Sequence, residues 1–152
     1  MFEKIKIGFI PSYRFHFSEW DLKLYNESLS VLKKIKNIEV VTPKFISKAG
    51  YKHSEPFKKH GAINHLDEAE VAAEYFRSQK VDALIIAALD FGDERSSSKI
   101  AEMLDVPVLL FATKEPPALN DQGLSRVSDS YCGTLSIASA LYRRKLKFHF
   151  AG

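Results

Sequence analysis

The sequence predicts a single α/β domain: a doubly wound, five-stranded parallel sheet in the flavodoxin-like order 2-1-3-4-5. Three observations predict it. Apolar runs of strand length alternate with helix-period runs in the order βαβαβαβαβ, the pattern of a parallel sheet with helices on both faces. Residues 81–88 (Val-Asp-Ala-Leu-Ile-Ile-Ala-Ala) are almost continuously apolar, as in a strand covered on both sides. The chain has 152 residues and is 45% hydrophobic, the length and content of one compact domain. Right-handed crossovers then favour 2-1-3-4-5.

Each element has its own signal. Residues 5–10 (Ile-Lys-Ile-Gly-Phe-Ile) read as the first strand, stopped by Pro11. Ser18-Glu19-Trp20-Asp21 opens a helix with a serine cap and an acid three residues on, and Leu22, Tyr25, Leu29 and Leu32 form its buried stripe. Residues 38–41 make a second strand ended by Thr42-Pro43. Residues 44–65 have no period and read as a long surface loop. Asp67 is expected to cap the next helix, with Glu70 reaching back and Leu66 stapled onto Val71. After the 81–88 strand come a helix over 93–104, a strand over 106–111, a loop with Pro116-Pro117, a helix over 130–144 and a strand over 146–150. A domain of this order ordinarily lays one more helix beside the first. Without it part of one sheet face stays apolar and wet, so the chain is expected to belong to something longer or to bury that face in a partner.

Composition narrows the functional classes. Net charge is +3, split into +6 over residues 1–60 and −3 over 61–152; the lysines are scattered and read as a solvated surface, so no nucleic-acid partner is expected. Cys132 is the single cysteine, which excludes an internal disulfide and suits a reducing, cytoplasmic compartment. No apolar run approaches the roughly 18–20 residues of a membrane span, so no membrane partner is expected. Neither a G-x-G-x-x-G nor a Walker-type phosphate loop is present. A phosphoacceptor receiver domain fails because the place of its acidic pair reads Ile10-Pro11-Ser12-Tyr13. His53, His60 and His65 lack the patterned Cys or acidic neighbours of a metal site and read as solvated, and His149 reads as an edge or outward residue.

In this strand order ligands bind beyond the carboxyl ends of the strands, where the order reverses between the first and third. The loops there hold the unusual residues. Arg14 could hold a hydroxylated or anionic ligand with Tyr13, Phe15 and His16 packed about it, or bridge to Glu19 or Asp21. Asp90-Phe91-Gly92-Asp93-Glu94 carries three acids: Asp93 can cap the next helix, Glu94 suits its positive end, and Asp90 is the surplus acid, a ligand-contact candidate. Ser128, Asp129 or Ser130 can cap the last helix, with Arg126 beside them. Cys132 on its first turn would have nucleophile chemistry only with a base, which no histidine supplies, and free cysteines are commonly buried.

The runs Asp82-Ala83-Leu84-Ile85-Ile86, Phe91-Gly92-Asp93-Glu94 and Ile100-Ala101-Glu102-Met103-Leu104-Asp105-Val106-Pro107 resemble the N-terminal domain of L-fucose isomerase-like sugar isomerases. Ser128-Asp129-Ser130-Tyr131-Cys132-Gly133, followed by Ala140-Leu141-Tyr142-Arg143-Arg144 and Lys147-Phe148-His149-Phe150, is the most specific match. The similarity runs from Lys4 to Phe150 and is weakest over 44–65; Phe111-Ala112-Thr113-Lys114 departs from the Trp and Gly of many relatives. The resemblance implies an aldose–ketose isomerase of sugars such as L-fucose or L-arabinose. A divalent metal, commonly Mn²⁺, would be held in later domains, and none is expected on this chain. It implies that this domain joins subunits of a homo-oligomer and lines the substrate pocket, with the remaining domains and neighbouring subunits as partners. By resemblance and position Arg14, Asp90, Asp93, Arg126 and Asp129 line a cleft, none of them a catalyst. A sugar- or small-ligand-binding module using the same crevice is the alternative, and a purely structural oligomerisation domain the third.

Overall fold

The computed structural model describes residues 4–14, 18–43, 63–114 and 128–152, with backbone alone for 18–21. Among the described residues nine elements follow in the expected order: β1 (Ile5–Ser12), α1 (Ser18–Leu32), β2 (Ile38–Val41), α2 (Leu66–Gln79), β3 (Ala83–Ala88), α3 (Glu94–Leu104), β4 (Val108–Ala112), α4 (Ser130–Arg143) and β5 (Phe148–Ala151). The sheet is five-stranded in the order β2-β1-β3-β4-β5. Every strand pair is parallel. β1 and β3 lie side by side with Ile7 opposite Ala83 and Ser12 opposite Ala88, so the first and third strands end together at one edge.

The two faces carry different loads. α2, α3 and α4 pack on one side over a core that includes Phe76, Leu84, Ile86, Ile100, Leu110, Ile137 and Leu141. On the other side the buried cluster is Phe9, Tyr25, Ile85, Ala87 and Leu89, with Leu24, Leu29 and Leu32 of α1 packed against it. This division follows from handedness: the crossover from β1 to β2 runs opposite in direction to the other three, so its helix lands on the opposite face. Among the described residues α1 is the helix on that side. Beside it a trough of about 310 Å³ opens, lined by Leu24, Val31, Phe9, Ile85, Leu109 and Phe111, where the sequence anticipates a partly uncovered face.

Several local expectations are corrected. Pro11 does not stop β1, which continues through Ser12. The peptide groups of β1 alternate sides: Ile5 N–H donates to Asn37 O on the β2 side, and Asp82 N–H donates to Lys6 O on the β3 side. By that alternation Pro11 turns its missing donor toward β2, which has already ended at Val41, opposite Gly8. Its carbonyl is used instead by Ile63, whose N–H donates to Pro11 O at 3.1 Å and whose carbonyl accepts from Tyr13 N–H at 3.1 Å.

The α1 stripe omits Leu22, which is exposed, and gains Leu24. The Ser18 cap lies in side chains outside the described residues. α2 starts at Leu66, not after Asp67: His65 is its N-cap residue and makes no side-chain capping bond to the helix, and Leu66 is exposed rather than stapled. The acid that reaches back is Glu68, whose Oε2 accepts from Asn64 N–H at 3.0 Å. It occupies the third helical position, where the acidic half of a capping box belongs. His53 and His60, and residues 44–62 as a whole, lie outside the described residues. α2 and α3 end at Lys80 and Asp105 in the left-handed conformation, terminators that no glycine announces.

Candidate functional site

The end of the sheet where strand order reverses lies between β1 and β3, and the segments after them are tied together by a dense polar network. Ser12, the last residue of β1, is fully buried. Its Oγ accepts from Asp93 N–H at 2.9 Å and shares a hydrogen bond with Ser97 Oγ at 2.7 Å. Asp90 is likewise fully buried. Its carboxylate accepts from Arg14 N–H at 3.1 and 3.0 Å and from Gly92 N–H at 2.6 Å. A buried carboxylate is tolerated when charge-assisted bonds satisfy it, and here backbone amides from both loops do so. Asp90 therefore fastens the turn after β3 to the segment after β1.

The turn itself depends on two glycines. Gly92 has φ +71, and a Cβ there would stand 2.6 Å from Ser12 Oγ. Gly133, on the first turn of α4, is pressed against the same turn: a Cβ would meet Phe91 O at 1.9 Å. Asp93 caps α3 as expected, its Oδ2 accepting from Ser96 N–H at 3.0 Å and from Ser96 Oγ. Ser96, Ser97 and Ser98 are all buried. Ser98 Oγ donates to Glu94 O at 2.6 Å. Small hydroxyl side chains let α3 lie close to β1 while each hydroxyl finds a partner: the Asp93 carboxylate for Ser96, the Ser12 hydroxyl for Ser97 and a backbone carbonyl for Ser98.

Arg14 stands on this platform. Its Nε donates to Gly92 O at 3.1 Å, its Nη2 lies 3.5 Å from Glu94 Oε2, and the guanidinium sits 4.0 Å from the centre of the Phe91 ring. The side chain keeps 40% exposure. A guanidinium has five donors, so a clamp of this kind orients the group and leaves N–H edges to meet hydroxyls or an anion. Among the described residues its bridging partner is Glu94; the side chains of Glu19 and Asp21 lie outside them.

The wall on the β4 side is built by α4. Ser130 Oγ donates to Ala88 O and accepts from Thr113 N–H at 3.1 Å, joining the ends of β3, β4 and α4. Asp129 takes the N-cap position with φ 58 and makes no capping bond to α4. Arg126 lies outside the described residues. The structure thus brings Arg14, Asp90 and Asp93 into one network, with Asp90 and Asp93 turned to backbone amides, and sets Asp129 at the start of α4. Cys132 is exposed, not buried. His149 is exposed on β5, an edge strand. Sequence reasoning passed over Ser12, Phe91, Gly133 and the three serines. A run of small polar residues directly after a helix cap was the available signal for close helix–strand approach.

The fit of a metal can be tested on these donors. Among the described residues no group of three or more His, Cys, Asp or Glu side chains could hold a metal ion. Asp90 and Asp93 spend their oxygens on amides and hydroxyls, so this network does not fit a metal. No helix among the described residues is long and apolar enough to cross a membrane.

Fold and site together define a class: a doubly wound α/β domain whose loops at the switch point are tied by a buried polar network that carries a clamped arginine. The family model of the fucose/sulfoquinovose isomerase N-terminal domain matches residues 22–151, and the chain belongs to that family. No curated protein matches this sequence. Among solved structures the chain is similar to an ABC transporter periplasmic solute-binding protein from Actinobacillus succinogenes 130z with bound D-allose. The identity is 15% and the TM-score 0.40, over 98% of this chain and 38% of that one. The chain spans well under half of that protein's length, and a likeness at this level carries no functional information.

Proposed function

We propose that this chain is the N-terminal domain of a cytoplasmic aldose–ketose sugar isomerase, and that it joins subunits and lines the substrate pocket with its β1–β3 crevice. Family membership over residues 22–151 supports the isomerase class. The observation that carries the pocket-lining role is Arg14, held on three sides by Gly92 O, Glu94 and the Phe91 ring at the edge where ligands of such sheets bind. A preorganised guanidinium binds vicinal hydroxyls without first being ordered, which favours recognition of a polyol chain. Asp90, Asp93 and Ser12 act behind it by holding the backbone that positions it. Asp129, at the start of α4, belongs to the opposite lip in this reading. The divalent metal, Mn²⁺ by resemblance, would polarise the sugar carbonyl; the described residues do not fit it, which leaves its ligands to the rest of the protein.

The test is isomerase turnover by the full-length protein on a panel of aldoses, with Arg14→Ala compared with wild type. Losing a charged hydrogen bond to substrate costs about 1.5–3 kcal/mol, which raises KM by about 10- to 150-fold with kcat little changed. Glu94→Ala removes one clamp but keeps the donor, and shifts KM by less than Arg14→Ala does. Unchanged KM and kcat in Arg14→Ala would remove Arg14 from the pocket.

A further inference from the structure

β4 and β5 pair from Val108 and Phe148 onward, fed by residues 105–107 after α3 and 144–147 after α4. Where these two connections run into the sheet, at the end of the strands away from Arg14, lies a cavity of about 530 Å³. Ligand cavities run from about 300 to 1,000 Å³. Its lining divides by chemistry. Val106, Val108 and Leu146 make an apolar wall, while Lys145, Lys147 and His149 bring donors and positive charge, and Asp105 is the one acid.

The backbone explains why the cationic side chains are left free. Asp105 and Lys145 both take left-handed conformations, φ 51 and φ 59, where the chain turns out of α3 and α4. The carbonyls that end these helices are met by main-chain amides: Asp105 N–H donates to Ala101 O at 3.1 Å, Lys145 N–H to Tyr142 O at 2.9 Å and Leu146 N–H to Leu141 O at 3.1 Å. Lys147 and His149 stand two apart on the extended chain and so share a side. Among the described residues none of the three side chains has a hydrogen bond or an ion pair, although Asp105 lines the same cavity. Arg144, one residue away, is by contrast bridged to Glu102 at 3.9 Å. Two lysines against one aspartate leave the lining net positive even with the imidazole neutral.

We infer that this cavity binds a phosphate group, free or esterified, with its oxygens on Lys145, Lys147 and His149. Each ammonium carries three donors, and an imidazole carries at least one in either charge state. A phosphate monoester brings nearly two negative charges and three acceptor oxygens, enough for all three side chains. A carboxylate brings one charge and two oxygens, which Asp105 already sets against the lysines. The apolar wall suits the carbon body of an ester beside its charged head. The inference goes beyond the isomerase reading and does not rest on it.

Calorimetric titration of the full-length protein with inorganic phosphate tests it, with ionic strength held constant by chloride. Saturable binding in the millimolar range or tighter is expected. Lys147→Ala should weaken it about 10-fold, the loss of one charge-assisted hydrogen bond. Lys145→Gly should do the same while keeping the left-handed turn. Lys33→Ala, an exposed lysine just after α1, should leave binding unchanged. All three positions are exposed, so circular dichroism should not move. A hexose 6-phosphate whose binding also requires Lys147 marks an ester as the ligand, and one that fails to compete marks the free ion. No saturable binding, binding unaltered in Lys147→Ala, an equal loss in Lys33→Ala, or acetate bound as tightly as phosphate would each overturn the proposal. The Arg14→Ala turnover assay is independent of all these results.

Discussion

Replacing Gly133 by alanine inverts an ordinary expectation. Inside a helix, glycine to alanine stabilises by about 1 kcal/mol. At Gly133 the added Cβ would stand 1.9 Å from Phe91 O, 2.5 Å from its carbonyl carbon and 2.6 Å from its Cα. Carbon–oxygen contacts close in comfortably only to about 3.3 Å, so α4 or the turn after β3 must retreat by more than an ångström. Neither is free to do so. The turn is held by Asp90 and Ser12, and the start of α4 by Ser130 on Ala88 O. All three blocking atoms are backbone, so the cost belongs at the upper end of the overpacking range, about 3 kcal/mol. Net of the helical gain, Gly133→Ala should lose about 2 kcal/mol, a fall in Tm of about 4–8 °C for a domain of this size. Thermal and urea unfolding followed by circular dichroism measure it, with exposed Ser139→Ala as the control for a small change on the same helix. A Tm equal to or above that of the parent would refute the close packing of α4 on the turn.

Three further substitutions probe the same platform. Asp90→Asn exchanges one acceptor for an amide that aims donors at the N–H groups of Arg14 and Gly92; a loss of about 2 kcal/mol is expected from the urea midpoint, and an unmoved midpoint would show the carboxylate is not the fastener. Asp93→Ala should cost about 1 kcal/mol by uncapping α3, most of it restored in Asp93→Ser, as differential scanning calorimetry would register. Ser130→Ala removes the hydroxyl shared by Ala88 O and Thr113 N–H and should lower stability by about 1–3 kcal/mol, readable as a Tm shift with retained helix content.

The strand order was legible because the sheet's centre is written in long apolar runs and its connections obey one handedness. Residues 84–88 are buried from both sides once α2–α4 and α1 are in place, as the run of a central parallel strand is. Boundaries were less legible where backbone partners decide them. Pro11 continues its strand because of Ile63, which is remote in sequence, and α2 begins two residues earlier than expected, with Glu68, not Glu70, finding the amide of Asn64. The site's position was legible from topology, and Asp93 from capping rules. The work of Asp90 was not: its partners are main-chain amides, one of them 76 residues away, and amides leave no trace in side-chain identity. Gly133 was hidden for the same reason, since what forbids a side chain there is the carbonyl of Phe91.

The bridge made by Ile63 bears on how this architecture can diversify. β2 releases the chain after Val41, and Ile63 recaptures it on neighbouring rungs of the same strand, through Pro11 O and Tyr13 N–H. Both ends of the intervening stretch are thereby moored on β1, Val41 opposite Gly8 and Ile63 on Pro11 and Tyr13. Doubling the length of a connection with fixed ends costs only about 0.6 kcal/mol of closure entropy. Insertions or deletions between Pro43 and Ile63 should therefore leave the alignment of β1 with β2 and with Ile63 unchanged.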